Sequence, residues 1–367
     1  MTTKLSWSQI LSWRLRRQFV SAADGGGAVA VARRLCGVQA QVASSARLAV
    51  AVRSARPDPG EIDRALWAER TLVKTWIMRG TLHLLPADQL ADHCAALGTL
   101  RFWEKGSWQR GHGVTAAEIA AIVEAVPAAL GDRVLTREEL VDAVVAETGD
   151  AHLREALTSG WGALLKPLSR LGELCYGPPR EGRVTFTTPR AWLPGWPGSL
   201  PPQEEAGVRV VRAFLGAHGP ATPQMLDTWL FGGVARKAVL KEWFAALAPE
   251  LTEVETDDGS VLLALTEHLD DLAAGPPSTG VHLLPGFDQY ILGAPRGLTP
   301  LLPAELKAKV SRQAGWISPV VVHEGRVAGV WEAKGGKVTL DLAEPVPRGP
   351  LDAAVGRMRE LLAAFSG

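Results

Sequence analysis

The sequence of 367 residues predicts a mainly α-helical protein with small β wings, which is an α+β fold. Helical periodicity dominates most of the chain. A pattern of helices followed by two short β-rich runs also occurs three times, and such internal repetition is typical of a modular architecture. Three helices with a two-stranded hairpin are the outline of a winged helix. We therefore expect three tandem winged-helix units and a C-terminal α+β segment.

The composition is that of an ordinary globular protein, with 47 % hydrophobic and 21 % charged residues. The length is enough for more than one domain. No apolar run approaches the ~20 residues that a membrane-spanning helix needs. The cysteines are far apart and lack the spacing of metal ligands, which favours a reducing compartment; they are Cys36, Cys94 and Cys175. We expect a cytoplasmic protein.

The formal net charge is zero, but the charges are segregated along the chain. Residues 1–53 contain eight Lys or Arg and one Asp, so this segment carries 8 − 1 = +7. A basic N-terminal face on a neutral protein is able to hold a polyanion locally, although solvated helix faces explain the same charges. Trp103 and Trp108, close to Lys105 and Arg110, are further candidates for a surface that faces DNA.

The first winged-helix unit is predicted to span residues 1–110. Ser6 or Ser8 is available to cap its first helix. Gly37 is placed to end the second helix, and Arg79-Gly80 joins two β-rich runs in a hairpin. The predicted helices are 5–20, 28–36, 43–53 and 61–67, and the predicted strands are 71–78 and 81–85.

The second and third units repeat the pattern over residues 111–200 and 201–275. A linker rich in Pro, Gly and Trp separates them at 189–202. In the second unit the predicted helices are 115–127, 136–147 and 152–171, and the predicted strands are 174–176 and 183–187. In the third unit the predicted helices are 204–217, 222–230 and 234–247, and the predicted strands are 251–255 and 261–264.

The C-terminal segment, residues 276–367, has a different pattern. A hairpin is predicted at Glu324-Gly325, and an amphipathic helix at Leu351–Phe365 closes the chain. The predicted strands are 281–284, 319–322, 326–331 and 337–340. We expect this segment to pack on the third unit rather than to form a free domain.

Gln39-Ala40-Gln41 is the stretch with the clearest chemical interest. In an extended segment, side chains two residues apart point the same way, so both amides would face one spot. Two amides cannot act as a general base, but they can hold a water molecule through hydrogen bonds. That is sufficient for hydrolysis when the leaving group is already good, as in a cationic N7-alkylated purine. Helix capping or phosphate binding by the glutamines explains the same pattern.

Four ordered segments carry a resemblance that covers almost the whole chain. They are Val38–Gln41, Thr75–Leu84, Leu284–Gly293 and Trp316–Trp331. Together they resemble the tandem winged-helix DNA glycosylases of the AlkZ/YcaQ type. Members of that family excise alkylated bases, and the AlkZ branch unhooks interstrand crosslinks made by the antibiotic azinomycin.

The resemblance implies that Gln39 and Gln41 match the family's catalytic Gln-x-Gln. The YcaQ branch has Gln-x-Asp instead, so this chain is nearer the AlkZ branch. It implies a monofunctional DNA glycosylase that excises cationic N7-alkylated purines, with a role in antibiotic self-resistance or alkylation repair. The expected partner is double-stranded DNA with alkylated or crosslinked bases. We expect a monomer, and no metal or other cofactor.

Five further residues are candidates for contacts with DNA. Arg79 at the wing tip is a candidate for a phosphate contact or for a surface turn residue, and Arg326 in the Gly325-Arg326 turn is a candidate to enter a groove as part of a hairpin. Arg47 is basic and lies on the third helix. His83 is a candidate to line the DNA channel or to serve as a structural histidine. Asp288 is a candidate to orient a partner near the site, or to stabilise its own turn by an Asx-type hydrogen bond.

A different class of function is also compatible with the pattern. A winged-helix DNA-binding protein or transcriptional regulator would do no chemistry. It predicts that Gln39 and Gln41 are dispensable and that one DNA sequence is preferred. Zero net charge fits lesion-directed binding better than tight operator binding, because phosphate contacts dominate non-specific affinity.

Overall fold

A computed structural model describes residues 3–158 and 160–365. Its α-helices are α1 (Trp7–Arg17), α2 (Ala28–Arg34), α3 (Ala43–Ala51), α4 (Glu61–Asp63), α5 (Leu90–Leu97), α6 (Gly106–Gly111), α7 (Ala116–Leu130), α8 (Arg137–Thr148), α9 (His152–Thr158), α10 (Lys166–Arg170), α11 (Pro189–Trp192), α12 (Gln203–His218), α13 (Pro223–Phe231), α14 (Lys237–Leu247), α15 (Leu269–Ala274), α16 (Gln289–Leu292), α17 (Lys307–Val310) and α18 (Arg348–Ala364).

The strands are short and form small sheets. They are β1 (Thr3–Leu5), β2 (Val38–Gln39), β3 (Leu72–Trp76), β4 (Leu82–Pro86), β5 (Leu135–Thr136), β6 (Cys175–Arg180), β7 (Arg183–Thr187), β8 (Leu251–Thr256), β9 (Val261–Leu265), β10 (Val281–Leu284), β11 (Val320–His323), β12 (Arg326–Lys334) and β13 (Lys337–Leu342). The predicted mainly α-helical fold with small β wings is confirmed. Among the described residues, no helix is long and apolar enough to cross a membrane.

The structure differs from the prediction at one helix and at two short strands. The predicted helix 152–171 is interrupted: α9 ends at Thr158, a 3₁₀ segment covers Gly160–Leu165, and α10 follows, while residue 159 lies outside the described residues. Gly162 has φ +74°, which a regular helix does not allow, and Pro167 lies in the first turn of α10, where proline is tolerated. The strands β1 and β5 were not predicted, because two or three residues carry too little periodicity.

The chain divides into two compact units, one formed by residues 1–62 with 211–367 and the other by residues 63–210. This division places residues 63–110 of the predicted first winged-helix unit in the second compact unit. Compactness alone does not decide where a winged-helix unit begins. The division into segments 1–110, 111–200, 201–275 and 276–367 therefore stays a prediction.

In the first compact unit, the N-terminal and C-terminal parts of the chain share one apolar core. The strand β1 pairs in parallel with β8, which also pairs with β9. The strands β10, β11, β12 and β13 form a second, antiparallel sheet. Side chains of α1 and of the second sheet are buried together, among them Leu11, Trp13, Tyr290 and Val320. The C-terminal segment thus packs against the first helix as well as against the elements that precede it.

The second compact unit contains the hairpin β3–β4 and the three-stranded sheet β5–β7–β6. The hairpin pairs Leu72 with Pro86 and Trp76 with Leu82, as the Arg79-Gly80 turn predicted. The helices α7 and α8 begin with capping boxes, so their first backbone N–H groups are satisfied locally. Trp76 stacks on Phe186 with ring centroids 5.9 Å apart in the core of this unit.

Candidate active site and DNA-contacting surface

A tight turn between α2 and β2 places the glutamine motif. Cys36 and Gly37 both have positive φ, of 56° and 109°. The Cys36 N–H donates to Arg33 O (3.2 Å) and the Gly37 N–H donates to Ala32 O (2.7 Å), which is the Schellman pattern. The left-handed residue is therefore Cys36, one position before the predicted Gly37. Burial raises the pKa of the Cys36 thiol to about 12, so this residue packs as a small neutral group.

The two glutamines differ in exposure. Gln39 ends the short strand β2 and is 6 % exposed, whereas Gln41 is exposed in front of α3. Val42 occupies the N-cap of α3 and makes no side-chain capping hydrogen bond. Neither glutamine therefore takes the capping position, and the positive end of the α3 dipole lies beside Gln41. A buried amide and an exposed amide thus border one helix N-terminus.

A buried polar network connects this turn to the C-terminal segment. Arg53 donates from Nη1 and Nη2 to the two carboxylate oxygens of Asp288, at 2.8 and 2.7 Å, and from Nε to Gln18 O at 2.9 Å. Gln18 Nε2 lies 3.1 Å from His218 Nδ1, and His218 Nε2 lies 3.3 Å from Leu35 O. In the tautomer that satisfies both contacts, His218 Nε2–H donates to Leu35 O. The network therefore fixes the chain four residues before Gln39.

The first turn of α3 also packs against two C-terminal loops. A Cβ placed on Gly286 would lie 3.6 Å from Ser45 Oγ and 2.9 Å from Ile317 O, so the Gly286 backbone fits closely between α3 and residue 317. Val42 packs against the apolar core that contains Phe287 and Ile317. The start of α3, which follows Gln41 directly, is thus held by residues from the far end of the chain.

An exposed indole lies on one of these loops. Trp316 is 45 % exposed and contacts Phe287 in a T-shaped arrangement with ring centroids 5.0 Å apart. Its loop is closed by a hydrogen bond from Arg312 N to Trp316 O (2.9 Å). Ser45 lies four residues after Gln41, so their Cα atoms are at most about 13 Å apart, since a residue spans ~3.3 Å at full extension. The exposed indole therefore lies on a loop that packs beside the first turn of α3.

Comparisons with known proteins identify the family of this chain. Residues 32–365 match the model of a family described as "DNA glycosylase AlkZ-like". The chain is 45 % identical over 329 residues, which is 90 % of this chain and 88 % of the relative, to a Streptomyces sahachiroi protein named "Interstrand DNA cross-link repair glycosylase". This chain belongs to the AlkZ-like DNA glycosylase family. The solved structure of Streptomyces sahachiroi DNA glycosylase AlkZ matches it with a TM-score of 0.93 and 42 % identity, over 98 % of each chain.

Family membership confirms that the chain is an enzyme, a DNA glycosylase, and that DNA is its substrate. The family match includes the Gln39–Gln41 turn and extends through the C-terminal segment. Within residues 3–158 and 160–365, no group of three or more His, Cys, Asp or Glu side chains is arranged to hold a metal ion.

Two of the predicted DNA contacts are wrong for this AlkZ-like chain, because their side chains are buried. His83 is fully buried, and its Nδ1 lies 3.0 Å from Thr81 O. Burial and the charge of Arg79 lower the pKa of His83 well below its usual value, so it is a neutral structural histidine. Asp288 is also fully buried. It pairs with Arg53 and accepts a hydrogen bond from Tyr290 N at 2.8 Å, which confirms the predicted Asx-type turn.

The three arginine candidates have different environments. Arg79 is half-buried, with φ +53°, in the β3–β4 turn, and Arg47 is half-buried on α3. Arg326 is exposed, but its turn is held against Tyr290, whose OH donates to Gly325 O at 2.7 Å. Arg326 also lines a cavity of about 640 Å³ with three acidic residues, Asp257, Asp258 and Glu324. Carboxylates repel phosphate, so this turn is poorly suited to enter a DNA groove.

The predicted basic N-terminal face is smaller than the charge count indicated. Arg14 and Arg53 are 3 % and 0 % exposed, so two of the eight cations lie in the interior. Trp103 is buried, which contradicts its predicted contact with DNA, while Trp108 is half-buried and stacks on His112 with centroids 4.0 Å apart.

Sequence reasoning did not identify three residues that the structure makes candidates for contacts with DNA: Trp316, Lys166 and Arg170. Trp316 was not distinguished from the other tryptophans, although it follows a Gln-Ala-Gly stretch that favours a turn. Lys166 and Arg170 are four residues apart on one helix, so they share a face. Their spacing was the available signal, but it does not reveal which groups surround them.

Proposed function

We propose that this chain excises cationic N7-alkylated purines from double-stranded DNA, with interstrand crosslinks among its substrates. The observation that carries the proposal is the Gln39–Gln41 turn, which is held between the Schellman-type end of α2 and the start of α3. The Streptomyces sahachiroi relative, whose name includes interstrand DNA cross-link repair, supports the crosslink as a substrate. A monomer in the cytoplasm, associated with the nucleoid, fits this function.

Gln39 and Gln41 position the attacking water in this proposal. Their amide oxygens accept hydrogen bonds from the water, and the N-terminus of α3 provides a positive dipole beside it. The water oxygen forms a bond to C1′ as the bond from C1′ to N9 breaks. The electron pair goes to the cationic purine, which leaves as a neutral base, and the proton of the water is released to solvent. No group in the motif is basic enough to take that proton, so only a good leaving group reacts.

The exposure of Gln41 suits a crosslinked substrate. A base that is tethered to the opposite strand cannot rotate fully into a deep pocket, as ordinary base flipping requires. Gln41 is exposed and Trp316 offers an accessible indole on the same compact unit. A base stacks favourably on an aromatic face, and a cationic base is also attracted to the electron-rich face of an indole. We infer that Trp316 contacts the lesion or its neighbouring base.

The test is base release from duplex DNA with a single 7-methylguanine and, in parallel, from an azinomycin-type crosslink. The proteins compared are the wild type, Gln39→Ala and Gln41→Ala, with Gln203→Ala on α12 as a matched glutamine control. We expect base release to be lost in the two motif variants and kept in the control, while all four proteins bind the duplex.

Two results would contradict the proposal. Base release that persists at the wild-type rate in both motif variants would show that the glutamines take no part in catalysis. Wild-type protein that releases neither base but binds one DNA sequence selectively would favour a winged-helix DNA-binding protein without this activity. The ratio of release from the two substrates would separate antibiotic self-resistance from general alkylation repair.

A further inference from the structure

Two cationic side chains flank the β3–β4 turn of the second compact unit. A Cβ placed on Gly80 would lie 3.8 Å from Arg170 Nη2 and 3.9 Å from Lys166 Cδ. Gly80 has φ +70°, and Arg79 precedes it in the same turn. Glycine tolerates this conformation, and its N–H donates to Ile77 O at 3.0 Å within the turn. The turn therefore borders a partly buried, positively charged surface.

Arg170 is buried without a counter-charge. It is 5 % exposed, and its Nε atom has no hydrogen-bond partner. Its Cζ lies 4.7 Å from the Phe102 ring centroid, and in the described part of the chain its guanidinium forms no ion pair. Burial lowers the pKa of Arg170 to about 10. A buried charge without a partner is costly, so an anion that binds there would be held strongly.

Lys166 adds a second positive charge to the same surface. It is half-buried, and burial together with the charge of Arg170 lowers its pKa. Among the described residues, no carboxylate forms an ion pair with Lys166. The charge of Arg170 disfavours the charged form of Lys166, and an anion between the two side chains would relieve this repulsion.

Arg14 is a second buried arginine of this protein, and its guanidinium has hydrogen-bond acceptors. It is 3 % exposed, and burial lowers its pKa to about 10, as for Arg170. Unlike Arg170, it donates from Nε to Gly219 O at 3.2 Å and from Nη2 to Pro220 O at 2.9 Å. The two arginines are therefore similarly buried, and they differ because, within the described residues, Arg170 lacks the hydrogen-bond acceptors that Arg14 has.

We propose that Arg170, Lys166 and the Gly80 turn form a binding site for a phosphate group of the DNA backbone. Guanidinium and ammonium groups together provide several N–H donors for the anionic oxygens of a phosphodiester. The site is in the second compact unit, whereas the glutamine motif is in the first. This inference rests on the proposed function only in taking duplex DNA as the substrate, and it needs no base release.

The first experiment measures the affinity for an unmodified fluorescent DNA duplex between 50 and about 200 mM salt, the range over which phosphate contacts dominate. Each lost phosphate contact should lower the slope of log Kd against log salt by about 0.9. We expect that decrease for Arg170→Met and a larger one when Lys166→Ala is added, while Arg170→Lys keeps most of the slope. Arg154→Met is the charge-matched control, because Arg154 pairs with Asp142 at the surface of the same unit; its slope should not change.

The second experiment compares thermal stability without DNA. Arg170→Met should have a Tm equal to or above that of the wild type, because it removes a buried charge that has no partner. Arg14→Met should lower the Tm, because it leaves two backbone carbonyls without donors. A Tm that falls as far in Arg170→Met as in Arg14→Met would overturn the proposal, since Arg170 would then have a structural role.

A third experiment uses inorganic phosphate to distinguish a phosphate of DNA from free phosphate as the ligand. If DNA is the ligand, the salt slope changes in Arg170→Met, and millimolar phosphate competes only weakly with the duplex. A Tm of the wild type that rises with phosphate, with an unchanged DNA slope in Arg170→Met, would overturn the assignment to DNA in favour of a free phosphate. Because all three measurements are made on unmodified duplex or on the free protein, their outcome is independent of whether Gln39 and Gln41 are catalytic.

Discussion

Arg53 and Asp288 form a bidentate ion pair in which both side chains are fully buried. The two residues are 235 positions apart in the sequence and connect the end of α3 to the beginning of α16. Two further donors of Arg53 bind the carbonyls of Gln18 and Ala49, at 2.9 and 2.8 Å. The pair therefore holds the helix that follows the glutamine motif against the C-terminal segment.

Removing one partner of this pair should destabilise the protein strongly. Asp288→Ala leaves the Arg53 guanidinium buried without a counter-charge, and such a change costs about 3–5 kcal/mol. The measurement is the free energy of unfolding from a urea titration. Asp341→Ala is the control, since it removes an exposed ion pair with Lys309 and should cost less than about 1 kcal/mol. Equal losses in the two variants would show that the buried pair contributes no more than a surface pair.

Trp316→Ala should weaken binding of the lesion more than binding of undamaged DNA. Stacking of a base on an aromatic side chain contributes ~1–3 kcal/mol, so a loss of about tenfold in affinity for lesion-containing duplex is expected. A lesion with a cleavage-resistant 2′-fluoro sugar allows the affinity to be measured without base release. Trp316→Phe should retain part of the preference.

Trp108→Ala is the matched control for this prediction. Trp108 also has an accessible ring, which stacks on His112, but it lies in the second compact unit. A preference for the lesion that survives in Trp316→Ala, or that is lost equally in Trp108→Ala, would argue against a specific role of Trp316.

His282 should make the protein less stable in mild acid. Burial, followed by the charges of Arg357 and Arg53, lowers the pKa of His282 to about 4. The unfolded chain has a histidine pKa of about 6.5, so below that pH it binds a proton that the folded protein does not. The free energy of unfolding should therefore fall as the pH decreases from about 6.5 to 4, by at most about 3 kcal/mol from this group.

The His282 contribution is measured by urea titrations at neutral pH and at pH values down to about 5, where the protein is still folded. His282→Leu should lose less stability over this interval than the wild type. His83 and His93, whose pKa values burial also lowers, remain in both proteins and cancel in the comparison. An identical pH dependence in the two proteins would show that His282 is not buried as a neutral group.

The sequence by itself determined most of the local structure, because the signals act over a few residues. Ser6 caps α1 in a capping box with Gln9, and Arg79-Gly80 closes the β3–β4 hairpin, both as predicted. The Glu324-Gly325 turn joins β11 to β12, since both residues adopt the positive φ that such a hairpin needs. The family, its DNA substrate and the candidate motif were also found from local segments.

Only the tertiary structure decided which polar residues are buried and which groups they meet. His83 and Asp288 were candidates for DNA contacts, but both are fully buried, and Asp288 pairs with Arg53, 235 positions away. Arg170 looked like any basic helix residue, yet it is buried without an acceptor among the described residues. Burial sets the energy of a charge, and it depends on neighbours that come from far along the chain. For this reason the positions of the glutamines followed from sequence, whereas the network that holds them required the fold.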